Sequence, residues 1–527
     1  MDSVDAIVVG SGPNGMSAAV TLARAGLSVR VYERAETIGG GARTVASTLP
    51  GYLHDAGSAV HPMALASGFF QRFQLEKRID LVVPELSYGS PLDGGRAGLA
   101  WLDLERTVEG LHYDGPAWRS LLGPLVERAQ EVAQFAGSNV LQVPRHPLTV
   151  LLLGLRILEQ GTPAWNLRFR GEEAPALLSG VNAHSIQRMP SLATAAVGLV
   201  LATHGHARGW PIPIGGSQTI ITAMADDLIA HGGEIVTGTE ITSLEELPRS
   251  RAVILDTSAR ALSKIAARRL PAAYLRALAR FTYGSAVAKV DYALSDAVPW
   301  TNLDLRQAGT VHIGGPRAEL RQSEADVAAG RHPHSPYVLA SQPTTFDPSR
   351  APAGKHVLWA YTHVPAGSTR DRAEAITAQI ERFAPGFRDT ILAQSSRTAT
   401  EVAAYNPNYI GGDIAAGEPS IAQLVARPVL STDPWRTPAP GIYLCSSSTP
   451  PGPGVTGLNG YYAARSALRH EFGLAPPRLG IREPGGGEPD GRQPGSHRPG
   501  FSSGRHRSTD TADTADTADT AGTPDTT

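Results

Sequence analysis

Apolar and polar positions change rhythm several times along the chain. A short apolar run, Ala6 to Val9, stops at Gly10-Ser11-Gly12-Pro13-Asn14-Gly15, and a helix-patterned segment follows. A second short strand, Ser28 to Tyr32, then ends on Glu33. Residues 76–205 carry mostly helical periodicity. At 209–257 the reading is loop, helix, Gly-Gly turn and strand, then the buried strand RAVILDTS bounded by turn signals. Residues 282–400 alternate strand-like runs, GSAVAKVDYAL and HVLWAYTHV, with a helix near 372–384. Residues 440–468 read as strand, glycine-rich loop and helix. Beyond 475 the rhythm is lost: a Gly, Pro, Arg and His-rich stretch leads into STDTADTADTADTAGTPDTT. Such a segment cannot offset its ordering entropy by burial, and 476–527 is expected to be a disordered tail.

The opening strand–turn–helix–strand–acid unit is the context that turns a weak glycine pattern into a dinucleotide site. Gly10 allows the tight turn, Gly12 lets backbone approach a pyrophosphate, and Gly15 lets the helix pack on the strand. With Pro13 and Asn14 they place a helix N-terminus, with its free N–H groups and positive dipole end, against phosphate charge. Glu33, followed by Arg34, stands where a carboxylate accepts from ribose hydroxyls and repels a 2′-phosphate, which disfavours NADP. A second cluster, Gly39-Gly40-Gly41-Ala42-Arg43-Thr44, follows closely. An NAD-only domain does not need it; an FAD protein does, because glycine backbone can press on the ribityl–pyrophosphate arm and Arg43 can add a cation. The third element, Gly452-Pro453-Gly454-Val455-Thr456-Gly457, repeats the glycine pattern without the following strand and acid, so it is not a second nucleotide site. Its loop feeds a helix near 461–468, and backbone donors at Val455 and Thr456 would stabilise negative charge on a reduced flavin ring.

These blocks, with Gly215-Gly216-Ser217 and Val236-Thr237, resemble the phytoene desaturase-like branch of the FAD-dependent amine oxidase superfamily. The resemblance is carried by GSGPNG at 10–15, ERAETIGGGART at 33–44, GYLHDAGSAVHPM at 51–63, WPIPIGGSQTI at 210–220 and STPPGPGVTGLNGYYAAR at 448–465, and spans 5–470. It implies non-covalent FAD with its ring between a cofactor domain and a substrate domain. It also implies that the segment around Val236 meets the adenine side, and that 51–63 and 448–460 approach the ring. The expected fold is α/β. A Rossmann-like FAD-binding domain is assembled from 1–75, 206–280 and 411–475, with an inserted α+β substrate domain from 76–205 and 281–410.

Composition narrows the picture. At 527 residues, 42% apolar and 18% charged, the chain is an ordinary globular protein long enough for two domains. A formal net charge of −2 gives no drive toward nucleic acid. Cys445 is the only cysteine, so neither a disulfide, a CxxC nor a cysteine-rich zinc site is available; it reads as a small core residue in a reducing compartment. The N-terminus enters the first strand without a signal-peptide pattern, and the expected location is cytoplasmic. No apolar run reaches membrane-spanning length. Leu148–Leu158 and Leu192–Ala202 read as core or pocket-lining helices; peripheral membrane contact through one of them requires an exposed apolar face.

For proton chemistry the candidates are Lys289 and His61. In AVAKVDYA, Lys289 and Asp291 share one strand face and Val290 takes the other. Beside a flavin, a buried lysine can hold a water or act as a base; the competing reading is a Lys–Asp pair on a solvated face. His54, Asp55 and His61 sit in a loop at a spacing that matches no common metal pattern, and no metal is expected. They suit ring-edge hydrogen bonding or loop structure. Tyr405-Asn406-Pro407-Asn408-Tyr409 reads as packing aromatics, with a pocket wall as the alternative. The expected function is an FAD-dependent dehydrogenase or desaturase. It takes hydride from a C–H of an apolar small-molecule substrate and passes electrons to an unidentified acceptor. Amine oxidation is the competing enzyme reading, weakened by an aromatic content of only 6%. A flavin-stabilised regulatory protein is a reading from another class, and oligomeric state is left open.

Overall fold

The computed structural model describes residues 3–481. The opening rhythm becomes a five-stranded, all-parallel sheet in the order Ile442–Leu444, Ala252–Leu255, Ala6–Val9, Val29–Tyr32, Glu234–Val236. Strands buried on both faces read as continuous apolar runs, as these do. The helix Pro13–Arg24 packs on the sheet beside Gln218–Ala230 and Leu458–Ala467. Its crossing with Leu458–Ala467 is close: a Cβ on Gly460 would stand 1.8 Å from the Asn14 carbonyl oxygen. First and last segments of the fold are therefore locked backbone to backbone.

A second sheet of seven strands runs in the order Ile391–Arg397, Ala286–Leu294, His356–Val364, Val338–Ser341, Ala308–Ile313, Leu86–Pro91, Ala97–Trp101. It is antiparallel except where Ala308–Ile313 meets Leu86–Pro91. Period-two alternation divides its faces. Val290, Leu358, Ala360, Val338 and Val311 pack with Ile376 and Ile380 of the helix Ala373–Phe383. The opposite face carries the aligned row Arg397, Lys289, Tyr361, Leu339, His312, and beside it Asp291, Trp359, Ser341, Thr310. A helical layer built on Trp118, Leu121, Leu177, Leu199 and Trp210 completes the structure. The described residues form one compact unit, and none of their helices is long and apolar enough to cross a membrane.

Three expectations change. The stretch read as helical at 76–205 also contains Leu86–Pro91 and Ala97–Trp101. Their Gly, Ser and Pro content reads as turn, and their partner strand lies more than two hundred residues away. The ordered chain also continues past 475: Leu479 is buried in the core with Phe73 and Leu75, and Arg24 donates to the Gly480 carbonyl at 2.8 Å. One apolar anchor is invisible in a Gly- and Pro-rich average. The rest of the expected tail, 482–527, lies outside the described residues. Finally, Leu148–Leu158 is a helix, Pro147–Gln160, but only one face of it is inside; Leu148, Leu151, Leu155 and Leu158 stand in the open.

Candidate functional site

The carboxyl ends of the parallel strands open into a cavity of about 690 Å³ that continues to the polar-bearing face of the seven-stranded sheet. Ligands of open α/β sheets bind in this crevice. Gly10, Gly12, Pro13, Asn14, Glu33, Arg34, Gly40, Gly41 and Arg43 line it, as do Gly454, Val455, Thr456, His61 and Lys289. Gly15, Ala42 and Val236 do not: Gly15 is pressed against the Gly10 carbonyl, Ala42 is in the core, and Val236 packs on the cluster of Ile7 and Val9. Thr239, Glu240 and Ile241, just beyond Val236, reach the cavity instead. The 405–409 segment lines it throughout.

The turn is shaped by contacts that sequence reading did not anticipate. Gly10 adopts φ 101°, and the helix it feeds begins on Gly12 with no side-chain cap and no acid in its first turn. Asp256, at the carboxyl end of Ala252–Leu255, accepts from the Gly15 N–H at 2.9 Å. A Cβ on Gly12 would stand 2.7 Å from the Asp256 carboxylate. Burial, opposed by that hydrogen bond and assisted by Glu33, pushes Asp256 up to about 7. The visible signal for Asp256 was its place at the end of the RAVIL strand. Glu33 accepts from the Ser11 N–H at 3.0 Å, the Ser11 hydroxyl at 2.6 Å and the Ala35 N–H at 2.9 Å. Arg43 donates to Glu33 at 3.2 Å and to the Thr37 carbonyl at 2.7 Å, so its charge is spent on its own loop. The Asn14 side-chain oxygen and the Thr257 hydroxyl, both on the cavity wall, are buried without a partner.

The loop 51–63 is bolted in place. Asp55 binds Arg350 at 2.7 Å, with both side chains fully buried, and accepts from Thr44 and from the Ser217 N–H. The Ser217 hydroxyl gives its single proton to the Ser58 carbonyl at 2.6 Å, so His61 Nε2, 2.8 Å from that hydroxyl, is the donor and Nδ1 carries the lone pair. Burial lowers His61 to about 4 and keeps it neutral. His54 bonds Thr48 and stands 3.8 Å from Asp291, outside the cavity wall. Among the described residues no three His, Cys, Asp or Glu side chains gather to hold a metal.

Lys289 and Asp291 are paired, but on a buried face rather than a solvated one. Lys289 donates to Asp291, which also accepts from Ser47 at 2.9 Å. The lysine is 5% exposed, and burial lowers its pKa while Asp291 pulls the other way. Opposite it stand Trp359 and Tyr361, ring centres 5.2 Å apart at 85°. This aromatic pair went unnoticed in sequence, although HVLWAYTHV alternates in the required register. Cys445 is fully buried with its thiol pushed up by desolvation, as befits a core residue.

A parallel sheet with a glycine turn, joined to an antiparallel sheet across one cavity, defines a two-sheet flavoprotein fold. Solved structures with a similar fold include an oxidoreductase from Methanosarcina mazei (17% identity, TM-score 0.54, 88% of this chain and 100% of that one). A cofactor-binding redesign of putrescine oxidase (17%, 0.55, 89% and 99%) and cyclohexylamine oxidase from Brevibacterium oxydans (16%, 0.51, 90% and 100%) are similar too. The model of the flavin containing amine oxidoreductase family matches residues 14–460, and the chain belongs to that family. It is an FAD-dependent oxidoreductase. The same blocks also resemble pyridine nucleotide-disulfide oxidoreductase domain-containing protein 2; the rat protein is 26% identical over 546 residues, 88% of this chain and 93% of that relative. The mouse protein is 25% identical over the same shares. The disulfide in that name has no counterpart in a chain with one cysteine.

Proposed function

We propose that this oxidoreductase takes hydride from a C–H bond of an elongated, apolar organic substrate, in the manner of the phytoene desaturase-like branch. The observation that carries the reading is the chemistry of the cavity wall beyond the glycine turn. Leu153, Ile157, Val200, Val287 and Leu339 make it apolar. The carboxylates on the wall, Glu33, Glu240 and Asp256, all belong to the turn end, whereas Lys289 and Arg397 stand at the sheet. A protonated amine would meet Arg397 and a Lys289 whose partner carboxylate, Asp291, is already engaged, and no free carboxylate among the described residues.

The turn end fits FAD. Its glycines leave a cradle that Cβ atoms would fill, the Pro13–Arg24 helix offers an uncapped N-terminus, and Asn14 and Thr257 hold unpartnered polar atoms. Gly10, Gly12, Asn14, Gly40 and Gly41 would carry the pyrophosphate arm, with Glu33 and Arg34 at the ribose and Val455 and Thr456 beside the ring. On this reading the cofactor half comprises 1–75, 206–280 and 411–475, and the substrate half 76–205 and 281–410. When bound, FAD would supply the hydride-accepting chemistry, and the reaction would need a separate electron acceptor. The apolar wall excludes water and aligns the substrate chain along the sheet. Lys289 holds or moves a proton at Nζ, Asp291 orients it, and neutral His61 presents the lone pair of Nδ1.

Amine oxidation is the second reading, favoured by the Trp359–Tyr361 pair beside Lys289. The two separate in one experiment. The purified holoprotein is mixed anaerobically with long-chain unsaturable hydrocarbons and acyl compounds, and separately with amines, while the flavin spectrum is followed. Bleaching by the apolar set supports the proposal; bleaching by amines alone overturns it. Firm FAD binding with no bleaching by either transfers weight to the regulatory reading.

A further inference from the structure

The helix Pro147–Gln160 separates an apolar cavity from an apolar exterior. Inward it presents Leu153 and Ile157 to the cavity, beside Val200 and Leu201 of the helix Leu192–Ala207. Outward it presents Leu148, Leu151, Leu155 and Leu158, which are 79%, 60%, 55% and 54% exposed. The spacing of three, four and three residues puts all four on one stripe. The flanking segments add Val143 and Leu167, 91% and 84% exposed. Scattered exposed leucines need no explanation, but a contiguous stripe with its own flanks marks a contact surface.

Charge decides what covers it. Between residues 139 and 171 the only carboxylate is Glu159, and Arg156 and Arg168 already pair with it. Arg145, ahead of the helix, and Arg170, after it, are exposed and form no ion pair among the described residues. His146 is held by Glu131 at 3.6 Å. A second copy meeting this face about a two-fold axis would bring the unpaired Arg145 and Arg170 toward their own kind with no free carboxylate of the 139–171 segment to meet them. An anionic lipid surface complements it, with the leucines below the headgroups and the arginines among them. Fourteen residues are too few to span a bilayer, so the helix would lie in its plane.

We propose that this helix docks the protein on an anionic phospholipid bilayer, with its outward leucines in the lipid and its inward face still part of the cavity wall. The docking stands independently of the redox reading, and where both hold it sets the apolar cavity one helix away from the lipid.

The test is flotation of the FAD-loaded full chain with phosphatidylcholine vesicles and with mixed phosphatidylcholine and phosphatidylglycerol vesicles. The wild type is expected to float with the mixed vesicles. Leu151→Ser with Leu155→Ser should weaken binding by at least about tenfold. Arg145→Glu with Arg170→Glu should weaken it on mixed vesicles by about tenfold and remove the preference for anionic lipid. All four side chains are exposed, so flavin content and spectrum should be unchanged. Failure of the wild type to float with either vesicle overturns the proposal, as does flotation that survives the leucine substitutions. A wild type that instead forms a dimer in light scattering, broken by those substitutions and indifferent to vesicles, assigns the face to a second copy and also overturns it. Because vesicle binding is read without turnover, its failure is distinct from a failure of the proposed reaction.

Discussion

A carboxylate buried against a glycine turn needs protons or donors, and the Asp256 side chain has one donor, the Gly15 N–H. Between about 4, where an unfolded aspartate titrates, and about 7, the folded protein keeps a proton that the unfolded chain has released. The Asp256 contribution to stability therefore falls as pH rises through that window. Buried histidines act in the opposite sense. His54, His61 and His206 are lowered to about 4, so unfolding takes up protons below 6.5 and stability is lost as pH falls from 6.5 toward 4. Melting curves of the cofactor-free protein across pH 4 to 8 should fall steeply on the acid side. Asp256→Asn should remove the opposing term, making the acid-side fall steeper and the curve flatter near 7. Identical pH profiles for the two proteins would sink the assignment. Lys289→Met tests the other buried charge: anaerobic flavin reduction should slow by about a hundredfold or more at unchanged FAD content, and an unchanged rate removes Lys289 from the mechanism. Which residues share a face was legible in AVAKVDYA because parity is local. That the face is buried was not, because Ser47, Trp359 and Arg397 come from distant parts of the chain.

At the level of elements, the crossing of Pro13–Arg24 with Leu458–Ala467 joins the glycine turn to the last glycine loop. Gly460→Ala would force a Cβ onto the Asn14 carbonyl and the Ser17 hydroxyl. Overpacking of this kind costs about 1–3 kcal/mol, and here it also displaces a cavity residue. The expected result is a lower melting temperature together with weaker FAD retention on dialysis. Gly154→Ala, in the open middle of the Pro147–Gln160 helix, is the control: nothing stands within 4 Å of its Cβ, and it should be neutral or stabilising by up to about 1 kcal/mol. The glycine turn, both flanking strands and the final helix were readable because each rests on short-range pattern. Leu86–Pro91 and Ala97–Trp101 were not, since their place in the sheet rests on a parallel pairing with Ala308–Ile313. The leucine stripe had the right period, but a period does not say which side faces water.

For the whole molecule, the cavity is a seam lined by residues from Val9 to Leu458. A ligand in such a seam ties together segments that otherwise meet only through packing. Removing FAD should therefore lower the melting temperature in a single cooperative step, and restoring it at about a hundred times Kd should return about 2.7 kcal/mol. Loss of one half of the melting transition with the other unchanged would show that the two sheets fold as separate units. The α/β class was legible from the order of strands and helices alone. The wet or dry, charged or apolar character of the seam was not, since it is made by residues that no local pattern connects.

The parallel sheet has one further consequence, for the order of events on the ribosome. Its first strand is Ala6–Val9 and its edge strand is Ile442–Leu444. At roughly 5–20 residues per second, the glycine turn leaves the exit tunnel about 20 to 90 seconds before the chain that completes its pocket exists. Throughout that interval the apolar strand beside the turn lacks its full sheet, and the helix Pro13–Arg24 lacks its partner Leu458–Ala467. The nucleotide pocket is thus completed only late in synthesis, and messages truncated before the codon for residue 442 yield a nascent chain without a finished nucleotide pocket.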